Sequence, residues 1–148
     1  MKFTGKLLIY AFTLSALAAS AQAQSPREPL LEWKGQYGGS IEAKQRVVMD
    51  ANGWMRLWLS LEQGGAPPLD FTKYFAVAVM VGERPTGGYT VEFLDSVPKG
   101  MDVTVRYRVL TPTGFTTQAF TQPWKVRAFP RVKGKVYVEA LTDETPPK

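Results

Sequence analysis

The stretch Tyr74-Phe75-Ala76-Val77-Ala78-Val79-Met80-Val81-Gly82-Glu83-Arg84-Pro85-Thr86-Gly87-Gly88-Tyr89-Thr90-Val91-Glu92-Phe93-Leu94 decides the fold. Its first third is apolar at every position from Phe75 to Val81, which reads as a central strand buried on both faces. Its last third alternates, with Val91 and Phe93 set against Thr90 and Glu92, as in a strand with one wet face. The residues between, Arg84 to Tyr89, read as the tip of a β-hairpin whose glycines supply the positive φ of a tight turn. A plain turn accounts for the glycines. It does not require Arg-Pro-Thr in front of them, which stiffens the loop, or an aromatic directly after. Stiff loops on sheet scaffolds are common sites of recognition.

Upstream the period changes. Ser40 to Met49 reads as a strand or a pair of short strands. Asp50 is then a candidate helix N-cap, with Asn52 competing. Trp54, Leu57, Trp58 and Leu61 follow at i, i+3, i+4 and i+7, one face of a helix. Gly64-Gly65 stops it and Pro67-Pro68 prevents its resumption. The tryptophan pair could form a ligand-stacking platform, but its place on the apolar stripe favours covering one face of a sheet. Downstream, Pro98-Lys99-Gly100 makes a turn. Val103, Val105, Tyr107 and Val109 alternate with Thr104, Arg106 and Arg108. A threonine-rich loop opens at Thr111, and Trp124–Phe129 and Lys135–Leu141 form the last two strands. The expected architecture is α+β: a mainly antiparallel sheet of about five strands with one helix packed on one face.

The first 23 residues read as a secretory signal peptide. Lys2 and Lys6 precede the apolar run Leu7 to Ala19, and Ala21-Gln22-Ala23 offers a cleavage site after Ala23. The expectation is a secreted or periplasmic bacterial protein. With no cysteine in the chain, no lipid-modified cysteine tethers the mature form and no disulfide supports it. Residues 24–39 read as a flexible lead-in with Trp33 docking, 40–141 as one domain and 142–148 as a flexible tail. Loss of the two leader lysines lowers the net charge from +5 to +3.

The chain also contains no histidine. This removes Ser-His-Asp and Cys-His nucleophilic machinery, the usual zinc ligands and the commonest neutral-pH base. Glu83 with Glu92, and Asp95 with Asp102, are the only paired carboxylates of note, and nothing in the sequence gathers them into the cleft that glycosidic chemistry needs. No EF-hand spacing and no phosphate loop occur. No catalytic residue, metal or cofactor is expected. Charge is unevenly spread: Lys99 to Lys135 holds eight cations and one acid, Asp102. Arg106, Arg108, Lys125 and Arg127 form a candidate basic face for an acidic protein surface or an anionic envelope polymer. The same cations read equally as a solvated face balanced by Glu83, Glu92 and Glu139. Export argues against nucleic acid.

Asp70-Phe71, the apolar strand, and Gly82-Glu83-Arg84-Pro85-Thr86-Gly87-Gly88-Tyr89-Thr90-Val91 together resemble the C-terminal domain of the PrcB family. The Trp54–Trp58 helix and Gln122-Pro123-Trp124-Lys125-Val126 fit that pattern, and the resemblance spans about residues 40–141. It implies an accessory subunit of an extracellular protease complex, one that binds and stabilises a subtilisin-like protease without being an enzyme. A weaker likeness points to chagasin-like inhibitors of cysteine proteases, since Pro85-Thr86-Gly87-Gly88-Tyr89 and Pro123-Trp124 are similar to two of their loops. The expected function is therefore a non-enzymatic exported binding module for a protein, with Arg84, Pro85, Thr86, Gly87, Gly88, Tyr89 and Trp124 as contact residues. The alternatives are a direct protease inhibitor and an envelope-polymer-binding protein.

Overall fold

The computed structural model describes residues 30–142. The expected signal peptide, the lead-in up to residue 29 and the tail from residue 143 lie outside the described residues.

Strand β3 (Tyr74–Met80) is the centre of the molecule. Phe75 to Val81 are all buried, as continuous apolarity demands. β3 pairs antiparallel with β2 (Lys44–Val48) on one side and β7 (Trp124–Pro130) on the other. β1 (Glu32–Gly35) adds to the far edge of β7, giving a first sheet in the order β1-β7-β3-β2. The strand β1 lies in what the sequence suggested was a flexible lead-in. Four residues carry little pattern of their own, and only the open edge of β7 makes a strand of them.

The second sheet is built on β6 (Asp102–Leu110). β4 (Thr90–Phe93) and β5 (Val97–Lys99) pair antiparallel with successive parts of it, and β8 (Val136–Ala140) pairs with it in parallel. The single sheet of about five strands is thus corrected to two four-stranded sheets. β3 and β4 are not a hairpin. Both sides of β3 are already occupied, so the chain at 81–89 crosses from one sheet to the other.

Helix α1 (Ala51–Ser60) makes the third layer. Asp50 is its N-cap, its carboxylate accepting the Gly53 N–H at 2.7 Å. The helix ends at Ser60, before the glycines, because Glu62 itself turns left-handed (φ 55°). Trp54, Leu57, Trp58 and Leu61 are buried against Ala76, Ala78 and Val126 of the first sheet. The small alanines leave room for the chain's four tryptophans. Trp33, Trp54, Trp58 and Trp124 meet edge to face at 5.3–5.9 Å, a favoured aromatic geometry. The tryptophan stripe is therefore core. The other face of the first sheet, Phe75, Val77, Val79 and Phe129, packs on Val91, Phe93, Val105 and Tyr107 of the second. The layers run helix, sheet, sheet, with the central strand β3 buried on both faces.

Candidate interaction surface

Three connections leave the sandwich at the same end: 36–43 between β1 and β2, 81–89 between β3 and β4, and 111–123 between β6 and β7. They are laced together by backbone hydrogen bonds. At Gly82 (φ +86°) the chain passes so close to the first connection that an added Cβ would lie 3.0 Å from the Ala43 nitrogen. The Glu83 N–H then donates to the Ile41 carbonyl at 2.8 Å. Arg84 and Thr121 exchange both backbone bonds, at 2.8 and 2.9 Å. The buried Thr121 hydroxyl donates to the Thr86 carbonyl at 2.9 Å, and the Gly87 N–H donates to the Thr117 carbonyl at 3.0 Å.

Gln36 closes the strap from the other side. Its amide nitrogen donates to the Tyr89 carbonyl at 2.9 Å, and its amide oxygen accepts the Gly88 N–H at 3.3 Å. Of the glycine pair only Gly88 has positive φ (+90°), and a Cβ there would meet Pro112 at 2.7 Å. Over this strap the Arg84 guanidinium stacks on the Tyr89 ring, 5.4 Å from its centroid. Such a contact holds both side chains at partial exposure. The Arg84 Nε is buried with no acceptor among the described residues. A groove of about 380 Å³ runs beside Tyr89, between Lys34, Gln36 and Thr90.

The structure thus brings Arg84, Pro85, Thr86, Gly87, Gly88 and Tyr89 together, but as a strapped crossover rather than a free tip. Pro85 and Gly88 are exposed, Arg84, Thr86 and Tyr89 are partly exposed, and Gly87 is buried. Trp124 lines the same groove beside Tyr89 but offers little surface to it. It is 4% exposed, packs on Trp58 and donates its indole N–H to the Tyr37 carbonyl at 2.8 Å. Most of its side chain serves packing, because β7 pairs it with Met80 and aims it at the helix.

Nor do the four basic residues share one face. Arg106 and Arg108 alternate with the buried Val105 and Tyr107, so they point away from the core on the outer side of the second sheet. Arg108 pairs with Glu92, and Arg106 donates to the Asp95 carbonyl. Lys125 and Arg127 sit in register with Val79 and Val77, on the side of the first sheet that meets the second. Both bind Glu32, at 2.7 and 2.5 Å, and the Arg127 guanidinium lies 5.0 Å over the Phe93 ring. Burial pushes the Glu32 carboxyl up, but hydrogen bonds and charge from Lys125 and Arg127 outweigh it and hold it below the ordinary carboxylate range. The candidate basic face is therefore two separate groups, one paired with Glu92 through Arg108 and the other with Glu32.

Sequence reasoning missed the third connection as an apolar feature. Phe115 and Phe120 are exposed there, with Tyr37 and Ile41 exposed on the first connection. The available signal was two phenylalanines with no strand alternation in a run, Thr111 to Thr121, that carries no charged residue.

No helix among the described residues is long and apolar enough to cross a membrane. An α+β domain with three laced connections gathered at one end is the class these features define. Residues 75–130 match the family model of the PrcB C-terminal domain, so that stretch is similar to the family. The matched segment runs from β3 through β7 and contains the whole crossover and the third connection. It is narrower than the span of about 40–141 over which the sequence resembles the family, and it leaves the Trp54 helix outside. The family points to a protease-associated accessory domain rather than a catalytic one. No curated protein and no solved structure matches the chain.

Proposed function

We propose that this protein is a non-enzymatic, exported binding module that holds and stabilises a secreted protease of the subtilisin type. The observation that carries the reading is the family match over residues 75–130, which coincides with the strapped crossover and its neighbouring loop. Backbone bonds from both flanking connections fix Arg84 to Tyr89, so binding would spend little conformational entropy on ordering them. Export rests on the leader pattern of residues 1–23, and fractionation with N-terminal sequencing of the mature protein tests it.

The function is tested by ageing a subtilisin-type protease with and without the purified domain and following residual activity. A longer active lifetime is expected. Immediate loss of activity would identify a direct inhibitor instead, and an unchanged lifetime with no complex on gel filtration would end the proposal. The inhibitor reading has less support, because the Pro123-Trp124 element that completes the likeness to chagasin-like loops is interior.

A further inference from the structure

Phe115 stands as exposed as in an extended peptide (110%), directly after Gly114 in the left-handed region (φ +88°). Phe120, on the same connection, is 67% exposed. Scattered exposed apolar residues are ordinary on a soluble domain. Here, however, the aromatic pair shares one uncharged loop, and the base of that loop is fixed. Thr117 accepts from Gly87, Thr121 exchanges bonds with Arg84, and Pro112 lies against Gly88. Below Phe115 a groove of about 430 Å³ opens between Gly88, Leu110, Thr113 and Thr116.

We propose that Phe115 is the anchor of the partner contact and that residues 84–89 are the pedestal that holds it out. This rests on the reading of the chain as a binding module and names the partner's chemistry: a concave, apolar, uncharged pocket on an exported protein. The shape follows from a ring projecting alone, which only a hollow can bury. The polarity follows from the absence of charge between Thr111 and Thr121, since an uncharged loop leaves a charged pocket lining without partners. A lipid surface fits less well. Membrane docking gains from lysine and arginine beside the inserted ring, and this loop contains neither. Aromatic side chains are enriched at the cores of protein interfaces, and few residues carry most of the affinity there. Tyr89, by contrast, is already mostly covered, with Arg84 stacked on its ring.

The test uses the mature chain and, as probe, a subtilisin-type serine protease inactivated at its nucleophile, with calorimetric affinities for wild type, Phe115→Ala, Phe115→Leu and Phe120→Ala. Phe115→Ala should weaken binding by about tenfold or more, Phe115→Leu should recover part of the loss, and the thermal midpoint should stay unchanged because the ring touches no core. If wild type binds and Phe115→Ala binds equally well, the anchor proposal is overturned while the binding reading stands. If wild type fails to bind, both fall together. Co-sedimentation with vesicles of phosphatidylethanolamine and phosphatidylglycerol, lost in Phe115→Ala, would assign the loop to a membrane and also overturn it.

Discussion

Glu32 holds two cations with one carboxylate at the margin between the sheets. Lys125 and Arg127 keep only 12% and 17% of their side chains exposed there, so neither is free to be solvated if the acid is lost. Glu32→Gln should therefore destabilise the domain by about 1–2 kcal/mol near neutral pH, less than a fully buried pair because all three groups keep some water. The pH dependence has a definite sign. A carboxyl depressed by folding contributes stability that is complete above its unfolded pKa and is lost as pH falls through the lower, folded value. Wild type should lose stability on acidification below about pH 4, and Glu32→Gln should show a shallower acid limb. Urea unfolding of both proteins across that range checks this, and parallel curves would remove Glu32 from the account.

At the scale of elements, the crossover from β3 to β4 is the device that separates this fold from a simple hairpin sheet. Gly82 lets the chain slip beneath Ile41 and Ala43, and Thr121 then ties it down from beneath. Thr121→Val keeps the shape of the side chain but leaves the Thr86 carbonyl without its donor. A lost bond of this kind costs about 1–2 kcal/mol, and the cost should be felt locally. The amides of Arg84 and Gly87, which donate across to Thr121 and Thr117, should exchange several-fold faster, while amides of β3 keep their protection. Uniform loss of protection across the domain would show that the strap is part of the global core rather than a local fastening.

For the whole molecule, the first sheet is the shared interior. Its helix-facing side holds all four tryptophans and its other side packs on the second sheet. Removing either outer layer would bare half of β3 to water, so the layers should unfold together. Tryptophan fluorescence, which reports the helix side, and exchange or near-ultraviolet signals from Tyr107 on the far side should give coincident urea transitions. A second sheet that melts first would mean that the two cores are energetically separate. At the same scale, the laced connections gather three exposed aromatics, Tyr37, Phe115 and Phe120, at one end.

Local periodicity and turn chemistry were enough to read the helix, its Asp50 cap, its core-facing tryptophans, the doubly buried β3 and the alternation of β6, because each depends on neighbours along the chain. The same residues could not say that β3 and β4 belong to different sheets. Alternation reports that a face is covered without saying by what, and a Gly-rich connection serves a tight turn and a crossover equally well. The inward aim of Trp124, the pairing of Lys125 and Arg127 with Glu32, the strand at Glu32–Gly35 and the projection of Phe115 are all set by contacts between residues far apart in sequence. Only the tertiary structure decides them, since burial and charge pairing follow proximity in space.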